Sequence, residues 1–419
     1  MTAKDERKTA RGATACIALA VPLLVSGRAT MAVAASLGVL LILADPQRKV
    51  RFETLLDCIR GRLGIAVCLV LAAWLPSVAF SLEPGRSLLV WLRMAGIVVA
   101  AIWVWDLLRH DPRLIALAQR VLVCSAVIAG LVGAIGLLVW PQLIALIHAD
   151  GFTAIDAGRR LKSYASVVGC LLPIVLWSGM SLGRWWKWVA FSYPLLVSVI
   201  LFETESDAGL LAVLAAAAAA TTWWCWRNRQ FALLYLSAAI LFCVAYTFLT
   251  SHPVIPPDQF TEPLPDLGLP AWLIDIHRQV MWRFSASVAL DAPWFGHGIN
   301  VSNLVAGADT PIPGIPKSLI SAHPHNWVLE VLVDTGFIGL ATMSTALALL
   351  LVAAVRLPGW TAATAFALFA AFWVSSLVNF SIWSAWWQCT FVILLAIVFA
   401  SGDAERSSSP PLGRKSIKI

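Results

Sequence analysis

The chain has 419 residues, of which 60% are hydrophobic and only 13% are charged, and its mean hydropathy is +0.82. Because about a quarter of the residues in a soluble globular domain are charged, this composition excludes that class and predicts a polytopic membrane protein. The net charge of +7 is not organised into a basic face with interleaved stacking aromatics, which argues against a nucleic-acid partner.

Apolar runs recur along the chain, and each is long enough, at roughly 17 to 25 residues, to cross a hydrocarbon core. They predict an all-α fold of about twelve transmembrane helices. The predicted spans cover residues 13–27, 29–45, 62–80, 87–108, 116–140, 164–182, 186–202, 207–226, 231–250, 337–355, 361–379 and 382–400.

These spans predict four regions of the chain. They are an N-terminal transmembrane bundle of about nine helices over 1–250, a large external loop with amphipathic helices over 251–335, C-terminal transmembrane helices over 336–400, and a disordered tail over 401–419. The tail is polar and basic, and such segments do not bury enough apolar surface to fold.

Lysine and arginine collect in alternate short loops, and cationic loops are retained on the cytoplasmic side during insertion. The loop between the second and third spans holds five such residues, namely Arg48, Lys49, Arg51, Arg60 and Arg62. The intervening short loops hold little beyond Arg28 and Arg86. Both termini are therefore predicted to be cytoplasmic, and the long loop is predicted to lie outside.

Histidines concentrate on the predicted external side, which carries all of them except His110: His148, His252, His277, His297, His323 and His325. A single histidine in a loop is more often a surface or hydrogen-bonding residue than a catalytic one, although imidazole is the side chain that titrates near neutral pH. The eight cysteines lie in or beside predicted spans or, for Cys58, on the cytoplasmic side, so no disulfide framework and no metal-binding CxxC spacing is predicted.

His325 has the most informative context, in the segment HPHNWVLEVLVDTGFIG at 323–339. Asn326, Glu330 and Asp334 recur every four positions among apolar residues, which predicts an amphipathic helix along the membrane interface. Gly336 is predicted to end that helix, and 337–355 supplies the next span. His325 would then lie at the start of the interfacial helix.

Cations supply the second part of the expected chemistry. Guanidinium groups bind phosphate oxygens bidentately and stay charged at working pH, so external arginines predict a site for a diphosphate that needs no metal. The candidates are Arg159, Arg160 and Lys162 before the sixth span, Arg278 and Arg283 in the long loop, and Arg93 inside the fourth span. Contact with lipid headgroups is the alternative for each of them. Arg278 and Trp282 are four positions apart in a helical run predicted near 272–290, and so share one face.

The histidine segment resembles the signature of the bacterial O-antigen ligase family, in which a His-Asn pair is followed by nine residues and GxxG. Three further patches are similar to that family: RLKSY at 160–164, RQVMW at 278–282 and PWFGHG at 293–298. The resemblance carries over Arg160, Arg278 and His325 as catalytic positions. The chain departs from the family pattern at Ser206-Asp207, where relatives often show Ser-Arg, and at Ser163, where glycine is frequent.

The resemblance implies a GT-C-like glycosyltransferase of the bacterial inner membrane with no cofactor. It would move O-antigen from undecaprenyl diphosphate to a hydroxyl of the lipid A-core oligosaccharide at the periplasmic face, by direct inverting transfer without a metal. His325 would act as base, and the substrates would be bound by Arg159, Lys162, Arg283, Arg93, His323, Asn326 and Trp282.

Three alternatives stay open. A glycan polymerase and a protein O-oligosaccharyltransferase share the motifs, and the absence of a sizeable soluble domain after the last span favours the ligase slightly over the protein-modifying enzyme. A lipid or glycan transporter would favour internal repeats and polar residues at mid-membrane depth, neither of which the sequence displays.

Overall fold

A computed structural model describes residues 3–46, 48–148, 157–226, 276–312 and 317–408. In these ranges the chain is helical, and the β-structure is confined to an isolated bridge between Pro311 and Ser318. The all-α fold predicted from the apolar runs is therefore confirmed.

The first part of the fold contains eight α-helices and one 3-10 helix. They are α1 (Ala3–Ala20), the 3-10 helix Pro22–Ser26, α2 (Arg28–Ala44), α3 (Arg48–Arg60), α4 (Arg62–Ala73), α5 (Leu75–Ala79), α6 (Pro84–Arg109), α7 (Pro112–Leu138) and α8 (Pro141–Ile147). Proline stands at the first turn of α6, α7 and α8, where its missing N–H has no intrahelical partner to lose.

The rest of the described chain adds eight more α-helices. They are α9 (Ala157–Leu182), α10 (Arg184–Phe191), α11 (Tyr193–Glu203), α12 (Asp207–Trp226), α13 (Ile276–Asp291), α14 (Trp327–Val355), α15 (Gly359–Ser375) and α16 (Ala385–Ser408), with a short 3-10 helix Ser302–Leu304 between α13 and α14. The helical run predicted near 272–290 is confirmed as α13 over its described part.

Eight helical segments of the described chain are long and apolar enough to cross a membrane, or nine if the bent pair of α2 and α3 forms one span. The first predicted span, 13–27, is not a single helix, because α1 ends at Ala20 and a 3-10 helix follows. The predicted spans at 29–45 and 361–379 correspond to helices of only 17 residues. The span predicted at 231–250 lies outside the described residues.

The centre of the bundle is formed by α9 and α16. In their most apolar windows 67% and 78% of the residues are buried, compared with 17% in α6. Helix α12 packs against both α9 and α15, and a Cβ at Gly169 would press into Ala212, so the small residues let these helices approach closely. The inner helices are therefore held by protein on most sides.

Helix α16 continues to Ser408, so the prediction that a disordered tail begins at 401 was wrong for its first eight residues. Trp105 Nε1 donates to Asp403 Oδ2 at 2.9 Å, and Arg406 donates to the Arg356 carbonyl. Contacts with two other helices thus compensate for the polarity of this last stretch. Residues 409–419 lie outside the described residues.

Gly336 interrupts α14 with φ 65° and ψ −172°, so the predicted helix end there is confirmed. The same residue lets another segment approach: a Cβ would overlap the backbone of Trp294, and a Cβ at Gly296 would overlap that of Asp334. Phe337 N donates to the Pro293 carbonyl at 2.7 Å, and Gly298 N donates to the Asp334 carbonyl at 3.0 Å. The two glycine-containing segments are thus docked backbone to backbone.

Candidate functional site

A cavity of about 220 Å³ collects polar residues from five separate segments of the chain. It is lined by Lys162, Ser166, Glu205, Ser206, Asp207, Ala208, Arg278, His325, Val378, Asn379 and Phe380. Three of the residues predicted from the sequence, Lys162, Arg278 and His325, therefore line one cavity although α9, α13 and the loop before α14 are far apart in the chain.

His325 is oriented by a backbone carbonyl. Its Nδ1 lies 2.9 Å from the Asn379 carbonyl oxygen, and because a carbonyl can only accept, Nδ1 carries the proton. In the neutral ring the lone pair that can accept a proton is then on Nε2. The backbone of His325 is left-handed, with φ 51°, a conformation that costs free energy in a residue with a Cβ and that often occurs at functional sites.

Asn326 begins α14 directly after this unusual turn. Its Oδ1 accepts hydrogen bonds from Val328 N at 3.0 Å and Leu329 N at 3.3 Å, which is an N-cap. The His-Asn pair therefore has a division of roles: the asparagine starts the helix, and the histidine is turned out of the helical path towards the cavity.

His323 packs against His325, with ring centroids 4.0 Å apart. Burial lowers the pKa of His323 to about 3; the neighbouring His325 and, more weakly, Arg28 add to this shift, while a hydrogen bond with the Asn379 backbone opposes it. His323 is therefore uncharged at neutral pH.

The loop that carries Asn379 is held by two buried carboxylates of α14. Glu330 accepts hydrogen bonds from Ser381 Oγ at 2.5 Å and Ile382 N at 2.9 Å. Asp334 Oδ2 accepts from Trp383 Nε1 at 2.7 Å and also from the Asn300 backbone. The polar stripe of the predicted interfacial helix is thus buried against neighbouring loops, because these loops offer N–H and O–H donors that the carboxylates need.

Helix α13 brings Arg278 to the cavity. Trp282 is buried, and its Nε1 donates to the Pro324 carbonyl at 2.8 Å, which anchors the helix against the residue that precedes His325. Arg278 lies one helical turn before Trp282 and lines the cavity, as their shared face predicts. Arg283 is exposed and is not among the lining residues.

The other predicted cations lie outside the cavity lining. Arg159 is exposed and Arg160 is half-buried in the first turn of α9. Burial lowers the pKa of His148, and the charge of Arg160 adds to the shift, which places Arg160 beside that histidine. Arg93 donates Nη2 to the Trp383 carbonyl, so it contacts the loop whose other residues line the cavity.

The turn between α11 and α12 supplies the acidic wall of the cavity. Glu205 has a left-handed backbone with φ 46°, and Ser206 Oγ accepts from Gly209 N at 3.2 Å at the start of α12. Glu205 and Asp207 thus face a space that also holds Lys162, Arg278 and His325. Within the described ranges, no group of three or more His, Cys, Asp or Glu side chains is placed to hold a metal ion.

Two contributors to the site were missed by sequence reasoning. Asn379 supplies the carbonyl for His325, and its side-chain oxygen accepts from Ser166 Oγ at 3.0 Å. Arg28 lies over the ring of the lining residue Phe380, 5.0 Å from its centroid. No local pattern marks either residue, whereas the four-residue spacing of Glu330 and Asp334 in an apolar segment was a signal for the buried carboxylates.

Sequence comparison with known proteins covers part of the chain that forms this cavity. Residues 193–344 match a family model described as O-antigen ligase, and this region contains Glu205, Asp207, Arg278 and His325. The chain is 24% identical over 126 residues to "Putative polysaccharide ligase RC0486" of Rickettsia conorii, and 23% identical over 127 residues to "Putative polysaccharide ligase RT0347" of Rickettsia typhi.

Each of these alignments covers 29% of this chain and 31% of the relative. The chain thus spans about a third of the length of the curated relatives it matches. The family match and the named relatives nevertheless point the same way as the His-Asn motif, and they confirm the resemblance of this chain to the O-antigen ligase family.

Proposed function

We propose that this protein is an O-antigen ligase, a GT-C-like glycosyltransferase with about twelve spans in the bacterial inner membrane. It moves O-antigen from undecaprenyl diphosphate to a hydroxyl of lipid A-core oligosaccharide at the periplasmic face, without a metal and with inversion. The observation that carries the proposal is the single cavity in which His325, oriented by the Asn379 carbonyl, lies with Arg278 and Lys162.

The chemistry follows from the roles of these groups. Nε2 of His325 takes the proton of the acceptor hydroxyl while the hydroxyl oxygen attacks the anomeric carbon of the donor. The bond between that carbon and the diphosphate oxygen breaks, and the electron pair leaves with the diphosphate. Arg278 and Lys162 offset the charge that builds up on it. Attack opposite the leaving group inverts the anomeric configuration.

The remaining predicted residues take supporting roles. Arg159 and Arg160 lie in the first turn of α9, just before Lys162, and extend the positive surface towards the diphosphate. His323 and Asn326 hold His325 in place, and Trp282 anchors the helix of Arg278. Arg283 is a candidate for contact with the glycan, and Arg93 supports the site through its hydrogen bond with the loop at Trp383.

The two enzyme alternatives use the same cavity and differ in the acceptor. A polymerase would transfer to another carrier-linked glycan, and a protein O-oligosaccharyltransferase would transfer to a serine or threonine. A transporter would need no oriented base, so the His325–Asn379 contact favours the transferases.

The proposal is tested with purified protein in detergent, in the presence of EDTA, with undecaprenyl-diphosphate-linked O-antigen and lipid A core. We expect transfer by the wild type and a loss of roughly 10²-fold or more in His325→Ala, which removes an acid–base group, with a large loss in Arg278→Ala. The control is Arg86→Ala, which removes an external cation that is paired with Glu83.

Transfer to the carrier-linked glycan or to a protein, and not to lipid A core, would replace the ligase by one of the two alternative enzymes. Equal activity of His325→Ala and wild type would overturn the site itself. If EDTA alone abolishes transfer, the metal-independent mechanism is wrong.

A further inference from the structure

Arg28 is the first residue of α2 and contacts Phe380, a residue that lines the cavity. Its guanidinium carbon lies 5.0 Å from the ring centroid of Phe380 and 5.1 Å from that of Trp386. Its Nε donates to Ser163 Oγ at 3.0 Å. Two aromatic rings and one hydroxyl thus hold the guanidinium group in a defined position, although the residue as a whole is exposed.

The contacts of Arg28 do not neutralise its charge. Within the described ranges, no carboxylate pairs with it, whereas Arg86, on the same predicted face, has Glu83 at 3.9 Å. Stacking on aromatic rings and the bond from Nε leave the Nη edge of the guanidinium as the group that can donate, and that edge matches the oxygens of a phosphate.

The neighbours of Arg28 connect it with the reaction centre. Phe380, which it covers, lines the same cavity as His325 and Arg278. Ser163 directly follows Lys162, another lining residue. His323, which packs on His325, is close enough for the charge of Arg28 to act on it. The guanidinium therefore lies beside the residues that line the space where a diphosphate would be bound.

We propose that Arg28 binds a phosphate oxyanion of the substrate at the rim of the cavity, with Ser163, Phe380 and Trp386 holding the guanidinium in place. This inference rests on the proposed function. The phosphate is either the diphosphate of the donor or a phosphate group on the acceptor, because both present the same oxygens to the Nη edge. Arg28 would thus complete a cationic arc with Lys162 and Arg278.

The first experiment measures binding of undecaprenyl diphosphate, with undecaprenol as the probe without phosphate, to purified wild type, Arg28→Gln, Arg28→Lys and Arg86→Gln. If Arg28 holds the donor, Arg28→Gln weakens binding of the diphosphate roughly tenfold or more, as expected for loss of hydrogen bonds to a charged group. Undecaprenol binding stays unchanged. Arg28→Lys is intermediate, because lysine keeps the charge but not the planar fork, and Arg86→Gln behaves as wild type.

A second experiment measures the KM of each substrate in the transfer assay, with phosphorylated and dephosphorylated acceptor. If Arg28 holds the acceptor, Arg28→Gln leaves undecaprenyl diphosphate binding intact and raises the KM of the phosphorylated acceptor only. Ser163→Gly removes the Nε contact, and we expect a smaller effect in the same direction as Arg28→Gln.

The inference is overturned if Arg28→Gln, with unchanged thermal stability, alters neither diphosphate binding nor either KM. It is also overturned if the loss is the same for undecaprenol, which would indicate contact with the lipid chain. These outcomes differ from failure of the proposed function, in which the wild type itself neither binds the diphosphate nor transfers a glycan.

Discussion

Stacked arginines occur at both ends of the bundle, and among the described residues a carboxylate pairs with Arg109 but not with Arg28. At the predicted cytoplasmic end, Arg109 lies over Trp105 at 4.1 Å and binds Asp106 at 2.9 Å. At the predicted external end, Arg28 lies over Phe380 and Trp386 and has a hydroxyl as its partner. The same side chain thus joins a closed ion network in one place and borders a cavity in the other.

The closed network has a further member in Arg51, which is bound to Asp45 at 2.6 Å and to Asp106 at 3.5 Å with only 7% of its side chain exposed. A charge that far from water is stable only when it is paired. The external cations Lys162 and Arg278 line open space instead. The difference indicates that the charges at the predicted cytoplasmic end hold helices together, while those at the predicted external end border a cavity.

The largest loss of stability is expected from Arg51→Leu, in the ion network at the predicted cytoplasmic end. It leaves Asp45 and Asp106 buried beside an apolar side chain, and breaking a buried pair costs about 3–5 kcal/mol. We expect a strong fall in the thermal unfolding temperature, measured in detergent. The control is Arg60→Leu, because Arg60 and Asp57 form a pair with both side chains more than three-quarters exposed, and such pairs contribute about 0–1 kcal/mol. Equal unfolding temperatures of the two variants would contradict the assignment of the network to stability.

A smaller loss of stability is expected from Glu330→Ala at the predicted external end. The change leaves Ser381 Oγ and Ile382 N without their acceptor and should cost about 1–3 kcal/mol of stability. Because the loop also carries Asn379, we expect the kcat of transfer to fall more than the KM of either substrate changes. Ser381→Ala, which removes one of the two donors, should have a weaker effect of the same kind. An unchanged kcat in a folded Glu330→Ala protein would show that this loop does not orient His325.

A third prediction concerns the pH dependence of stability that His323 causes. Burial holds its pKa at about 3 in the folded protein, below its ordinary value of 6.5, so the unfolded chain binds more protons between these values. The contribution of His323 to the free energy of unfolding is therefore at its maximum above pH 6.5 and falls as the pH is lowered towards 3. We expect His323→Gln to lose less stability than wild type between pH 6.5 and pH 4, as measured by thermal unfolding. If the unfolding temperatures of the two proteins depend on pH in the same way, His323 is not buried and neutral.

Much of the site could be predicted from local patterns. The His-Asn pair, the helical face shared by Arg278 and Trp282, and the break at Gly336 all express short-range rules of helix capping and periodicity, and the structure agrees with each. Asn379 and Arg28 could not be found in that way, because their roles depend on contacts across 54 and 135 residues of chain with His325 and Ser163.

The difference between local patterns and long-range contacts also explains which predictions from the sequence were wrong. The buried position of Glu330 and Asp334 is decided by loops that supply donors from elsewhere, and the extension of α16 to Ser408 is decided by Trp105 and Arg356. Composition and apolar length alone determine that the chain is an all-α protein with several candidate membrane spans, because hydrocarbon demands long helices with internal hydrogen bonds. Which charges are buried in pairs and which face a cavity is decided only by tertiary structure, because pairing depends on the distance between side chains from different helices.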